Sequence, residues 1–337
     1  MSKKAIGAAA LGLMACAAHA QSSVTLYGIV DTGIRYTNNA HGAVATTNSN
    51  GWLSSSRWGL KGSEDLGDGW KAIFQIENGF NPSNGALDNT SNVLFNRMSY
   101  VGISGPYGTL TAGRQWDLAH DIIYDLDPFY LQYPGIIPLT PALDGIHFNN
   151  DVKYNGTFGP VRLTAENSFG GVAGNINDGT SRSVGVQYKA GFAELGGVYI
   201  HKRSLVGVSY ISDDYYALAT SLTFGSVRFA GGFMNENQDG LIGTPAVRTE
   251  NYWVGANYTV SVPIRLSAGL YETNLPNTEG KRDLGIIGVT YALSKRTSLF
   301  AEGDFTRYRG AYVTNAALNA QHAQHQIGVT VGIDHDF

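Results

Sequence analysis

From residue 24 to the end, apolar and polar residues alternate in short stretches with a period of two, the repeat of a β-strand with one wet face. The last stretch has no break. Ile327, Val329, Val331, Ile333, His335 and Phe337 share one face, and Gln326, Gly328, Thr330, Gly332, Asp334 and Asp336 share the other. The first stretch sets Val24, Leu26, Gly28, Val30 and Ile34 against Thr25, Tyr27, Asp31 and Arg35. Trp58, Leu60 and Gly62 oppose Arg57, Lys61 and Ser63; Trp70, Ala72, Phe74 and Ile76 oppose Lys71, Gln75 and Glu77; Met98, Tyr100 and Gly102 oppose Arg97 and Ser99. Further strands are expected at 109–115, 149–155, 161–169, 181–189, 192–202, 214–224, 226–236, 250–260, 263–273, 284–293, 297–308 and 325–337, about sixteen in all.

The connections alternate in length. Tight turns fall at Leu66-Gly67-Asp68-Gly69, Gly105-Pro106-Tyr107-Gly108, 156–160, 190–191, 225–226, 261–263 and 293–296, where Gly and Pro suit hairpins. Long loops are expected at 37–54, 79–95, 116–148, 170–180, 203–213, 237–249, 274–283 and 309–324. Short turns at one rim and long loops at the other predict an all-β fold, a 16-stranded antiparallel transmembrane β-barrel. A β-sandwich or β-helix does not predict that asymmetry. In hydrocarbon no backbone group can go unpaired, so the last strand must pair with the first. Tyr27, Tyr36, Trp52, Trp58, Trp70, Tyr100, Tyr188 and Trp253 are expected at strand ends, as interfacial girdles.

Composition agrees: 43 Gly and 19 Tyr in 337 residues, with only 15% charged. No linker or composition shift divides the chain. The amino end reads as a secretory signal peptide over 1–20: Lys3 and Lys4, an apolar stretch from Ala5 to Ala18, and the small-x-small site Ala18-His19-Ala20. Leu13-Met14-Ala15-Cys16 loosely resembles a lipoprotein box, but Met14 fits it poorly. Cleavage would remove Cys16, the only cysteine, so no disulfide could hold the mature barrel domain, 21–337. Losing Lys3 and Lys4 from 23 basic residues leaves 21 against 27 acidic ones, which offers no basic field for nucleic acid.

Gln21-Ser22-Ser23-Val24-Thr25-Leu26-Tyr27-Gly28-Ile29-Val30-Asp31 resembles the opening of the general porins of Gram-negative outer membranes, above all the β-proteobacterial and neisserial type. Ser56-Arg57-Trp58-Gly59-Leu60-Lys61-Gly62-Ser63-Glu64-Asp65-Leu66-Gly67-Asp68-Gly69 is similar to that family's second strand and first turn. Asn96-Arg97 with Tyr100-Val101-Gly102, Gly108 through Gly113-Arg114-Gln115, and Asn149-Asn150-Asp151-Val152-Lys153-Tyr154 resemble its pore-region strands, and Phe337 its terminal insertion signal. The stretch from 170 to 280 carries little signature.

The resemblance implies an outer-membrane homotrimer for passive diffusion of small hydrophilic solutes and ions, in contact with membrane lipid and lipopolysaccharide. It implies insertion by the barrel-assembly machinery through Phe337. It also implies that the third loop, 116–148, folds inward as a constriction. Arg35, Arg57, Lys61, Arg97 and Arg114 would then form a basic wall facing Asp117, Asp121, Asp125 and Asp127, a transverse field across a narrow gap. A plainer reading has Asp117 and Asp127 accept backbone hydrogen bonds that hold the loop, Lys71 pair with Glu77, and Arg35 lie solvated at the outer rim. His147 stands where the family often has a basic residue, so ion preference is expected to be weaker or to change with pH.

Catalysis finds no support. The sequence has no Gly-x-Ser-x-Gly, no phosphate loop and no His-Glu-x-x-His, and His322 and His325 lack the companions a metal site needs, so no cofactor or metal is expected. Two other functions stay open: an adhesin or receptor barrel acting through its loops, and a channel selective for one solute. Neither anion nor cation preference follows from the sequence.

Overall fold

The computed structural model describes residues 22–39, 51–132, 145–241 and 243–337, with backbone alone at 44–47. The expected signal peptide, 1–20, and residues 133–144 of the third loop lie outside the described residues. The strands are β1 (Ser23–Thr37), β2 (Val44–Thr47), β3 (Arg57–Gly67), β4 (Trp70–Gly79), β5 (Met98–Gly105), β6 (Gly108–Trp116), β7 (His147–Phe158), β8 (Val161–Ser168) and β9 (Ser181–Ala190). They continue as β10 (Ala193–Val206), β11 (Ser209–Phe224), β12 (Val227–Gln238), β13 (Val247–Ser261), β14 (Ile264–Leu275), β15 (Gly280–Ala292), β16 (Thr297–Arg309) and β17 (His325–Asp336).

Sixteen strands close one antiparallel barrel, each beside its sequence neighbours. β2 is an extra strand in the first long loop, laid against the loop end of β1 from Ile34↔Thr47 to Thr37↔Val44. Closure falls where the sequence requires it. β1 pairs with β17 from Ile29↔Asp336 to Thr37↔Gly328, and its first half pairs with β3 on the other edge. The last residue completes the seam: the Phe337 N–H donates to the Gly28 carbonyl at 3.0 Å, and the Gly28 N–H to the Phe337 carbonyl at 3.2 Å. A Cβ on Gly28 would lie 2.3 Å from the Phe337 ring, so glycine provides the notch that the terminal ring fills.

Faces follow the alternation. Val24, Leu26, Ile34, Val101, Leu110, Leu218, Val254, Leu270, Ile287 and Val331 are exposed on the outside, which in lipid is the stable place for them. Three expectations need correction. On β5 the phase is reversed: Tyr100 faces inward and its hydroxyl donates to Gln75 at 2.7 Å, while Val101 and Ile103 face out. Arg97 precedes that strand and turns inward by itself. Of the girdle aromatics, Tyr27 and Trp253 also face inward; Tyr36, Trp70 and Tyr188 stay exposed outside.

The third correction concerns loops. β10 and β11 run on to a two-residue turn at 207–208, and β14 and β15 leave only 276–279 between them. Both connections were expected to be long, at 203–213 and 274–283. The strands continue instead, and charged residues there pair across the outer face, as Lys281 does with Glu272.

Candidate functional site: the lumen constriction

The described part of the third loop enters the lumen as α1 (Leu118–Ile123), followed by a 3-10 turn at Tyr124–Leu126. Asp117 caps α1, accepting the His120 N–H at 2.7 Å. The helix is too short to stand alone, so packing must hold it. Leu118, Ala119, Ile122, Ile123, Leu126 and Phe129 are buried against Val198, Ile200, Tyr215, Ala217, Met234, Trp253, Tyr271, Leu284 and Ile286 of the opposite inner wall. The lumen is therefore wet on one side and apolar on the other. Two glycines make room: a Cβ on Gly185 would lie 2.3 Å from Ile122, and one on Gly196 2.5 Å from Leu126.

Polar bonds fix the rest of the loop. Asp127 accepts the Phe129 and Leu131 N–H groups at 2.9 and 3.0 Å and the Tyr271 hydroxyl at 2.7 Å. The Trp253 indole donates to the Leu126 carbonyl at 3.0 Å, and Asn257 to the Pro128 carbonyl at 2.8 Å. Arg228 donates to the Asp127 carbonyl at 3.3 Å, to the Asp125 carbonyl and to Asn257 at 2.9 Å.

These contacts rearrange the expected field. Asp117 and Asp127 are fully buried loop anchors. Burial pushes the Asp117 carboxyl up to about 7, against the pull of the His120 N–H and of Lys202 and Lys153. Burial likewise raises Asp127, to about 6, opposed by the Tyr271 hydroxyl and the two backbone donors. Asp121 forms an ion pair with Lys153 at 2.8 Å, and Lys153 also reaches Glu166 at 3.3 Å. Burial alone would raise Asp121, but Lys153 and His120 hold it below the usual carboxylate range. Of the four loop acids only Asp125 is exposed.

The basic residues divide. Arg35 is buried in an ion pair with Asp304 at 2.7 Å, so it is not solvated at the rim. Arg97 pairs with Glu77 at 2.7 Å, taking the acid expected for Lys71, and its guanidinium lies 4.9 Å from the Trp116 ring. Arg114 pairs in the ladder with Ser99, on the outward phase. It donates to the Asn96 carbonyl and to Asn149, away from the lumen group. Arg57 and Lys61 face the lumen without a carboxylate within ion-pair distance among the described residues, Lys61 lying 5.1 Å over the Tyr27 ring.

Two cations missed in the sequence join them. Arg228 and Arg265 flank the Tyr130 ring at 4.8 and 5.7 Å, and neither pairs with a described carboxylate. They lie on β12 and β14, where the sequence carries little signature. Only the loop crossing the lumen brings Tyr130 to them. Tyr124, 5.7 Å from Tyr130 and bonded by Gln132 at 2.9 Å, completes an aromatic ledge. His147 packs under the loop's entry, its ring 3.8 Å from Trp116, which stacks on His120 at 3.7 Å; its Nε2 is enclosed.

Comparison with known proteins gives one consistent answer. A model of the Gram-negative porin family matches residues 7–311. The chain is 29% identical to an outer membrane porin protein of Bordetella pertussis over the whole of both chains. It is 31% identical to outer membrane porin protein 32 of Delftia acidovorans, over 99% of this chain and 100% of that one. A solved structure, an anion-selective porin from Comamonas acidovorans, superposes with a TM-score of 0.81 at 25% identity, covering 94% of this chain and all of the other.

Proposed function

This chain belongs to the Gram-negative porin family, and from that premise we propose that its outer-membrane channel for passive diffusion prefers anions and works as a homotrimer. One observation carries the preference. At the constriction Arg57, Lys61, Arg228 and Arg265 face the lumen without carboxylate partners among the described residues, whereas three of the four loop acids are buried or paired. An excess of fixed positive charge at a narrow point attracts anions and repels cations. The anion-selective porin of Comamonas acidovorans supports the same reading. The trimer has its support in the outer surface of β1 and β3–β6, which is apolar and nearly free of charge.

The test is a salt-gradient reversal potential in a planar bilayer. Wild type is expected to favour chloride over potassium, and Arg57→Gln with Arg265→Gln to lose most of that preference. A wild-type channel that favours potassium overturns the proposal. The enclosed stack around His147 also gives an expectation: His147 itself adds nothing to the pH dependence, so the reversal potential of His147→Gln follows that of wild type between pH 5.5 and 8.

A further inference from the structure

The rings of the third loop form a row. Trp116, His120 and Tyr124 follow at four-residue steps, which places them on one side of a helical turn. Trp116 stacks on His120 at 3.7 Å, His120 lies 5.7 Å from Tyr124, and Tyr124 lies 5.7 Å from Tyr130. Leu118, Ile122, Ile123 and Leu126 leave by the other side, into the wall. Tyr130 joins the row through its backbone. Tyr130 and Leu131 take φ of +54° and +53°, left-handed values that residues with a Cβ keep only where the surroundings impose them. Asp127 imposes them by accepting the Phe129 and Leu131 N–H groups. Phe129 therefore enters the wall, while the next ring stays half-buried beside Arg228 and Arg265.

The cations along the row are not alike. Glu77 takes Arg97, and loop carbonyls and Asn257 take Arg228. Arg57 and Arg265 make no hydrogen bond or ion pair with a described residue, and the Arg265 Nε is enclosed without an acceptor. They come from separate parts of the wall, β3 and β14, yet both act on one ring. Burial raises the Tyr124 hydroxyl above its ordinary value, Arg57 pulls it down, Asp125 pushes it up and Arg265 pulls it down.

Rings and cations together select a ligand. A halide or a phosphate would engage the guanidiniums and leave the rings idle, and a neutral sugar would leave the charge idle. A planar aromatic carboxylate uses both, since its carboxylate accepts charge-assisted hydrogen bonds from guanidinium and its ring stacks on tyrosine or guanidinium. We propose that Tyr124, Tyr130, Arg57 and Arg265 form a subsite in the constriction for aromatic monocarboxylates. This rests on the anion-preferring channel above and names which anions it favours. Asp125, exposed next to Tyr124, competes with the ligand for the same cations.

The full-length protein in a planar bilayer is titrated at neutral pH with three probes: benzoate, its saturated counterpart cyclohexanecarboxylate, and its neutral counterpart benzamide. Benzoate is expected to block the chloride current saturably, with a half-blocking concentration at least about threefold below that of cyclohexanecarboxylate, the worth of one ring contact. Benzamide should block far less. Tyr124→Leu with Tyr130→Leu should bring the two acids to one value, and Arg57→Gln with Arg265→Gln should raise the benzoate value about tenfold. Asp125→Asn should lower it, a gain that misfolding cannot imitate. Equal block by the two acids in wild type overturns the subsite, as does benzamide matching benzoate. So does an aromatic preference that survives loss of both tyrosines, or a benzoate value unmoved by loss of both arginines. Should the multiple variants fail to insert, absence of a gain in Asp125→Asn overturns it alone. Failure of the channel reading shows separately, in a salt gradient without probe, as a wild type that favours potassium or passes no current. Saturation-transfer NMR of benzoate against cyclohexanecarboxylate on the solubilised protein then decides the subsite by itself.

Discussion

Buried carboxylates hold two of the loops by the same device. Asp31 accepts the N–H groups of Trp52, Leu53 and Ser54 at 2.6, 2.9 and 2.8 Å, and Asp127 does the same for the third loop. Each satisfies donors that would otherwise be stranded. Asp127→Ala should therefore loosen the constriction by roughly 1–3 kcal/mol, because buried donors lose their acceptor. The variant should show a noisier open channel and faster proteolysis near 117–132. A pH dependence follows as well. Asp117 and Asp127 titrate near 7 and 6 in the docked loop, above the ordinary carboxylate value near 4. Between those values the docked state binds more protons than the undocked one, so docking weakens as pH rises. Proteolysis of the loop should be slower at pH 5 than at pH 8, and Asp117→Asn should flatten the difference.

At the scale of elements, a helix of less than two turns stays in place because an apolar wall awaits it. Burial of Leu118, Ile122, Ile123, Leu126 and Phe129 represents on the order of 10 kcal/mol of gross transfer free energy. The fit depends on Gly185 and Gly196, which admit Ile122 and Leu126. Gly196→Val should push α1 off the wall and raise single-channel conductance, while far-UV circular dichroism stays that of a sheet. The seam has an equivalent point. Gly28→Leu displaces the Phe337 ring and should slow assembly, read as a longer-lived heat-sensitive species on unboiled gels. A normal folding rate for Gly28→Leu would show that the ring does not guide closure.

The whole molecule has two outer sectors. One, on β1 and β3–β6, is apolar almost to the loop rim; the other, on β9–β17, carries a charged band. A trimer explains the division if the first sector is covered by a neighbouring copy and the second meets lipid. Single fluorophores at Val101→Cys and Leu270→Cys, both made in a chain whose one natural cysteine is Cys16, separate the faces. Brominated lipid should quench the label at 270 and spare the one at 101. Equal quenching would place both faces in lipid and remove the trimer assignment.

The alternation by itself determined the all-β class, the barrel and its closure, since a period of two assigns each residue a face and hydrocarbon forbids an open edge. Arg57 and Lys61 were legible on the lumen side for that reason, and Asp117 and Asp127 were legible as loop anchors through their side-chain chemistry. Two things escaped the pattern because it is local. The continuation of β10 and β11, and of β14 and β15, past their expected ends was one, since it rests on cross-strand pairing such as Arg203 with Ser212 and Leu275 with Gly280. The sign of the constriction field was decided by tertiary structure, because only the loop's path across the lumen buries Asp117 and Asp127, gives Asp121 to Lys153, and leaves Arg57, Arg228 and Arg265 facing the water.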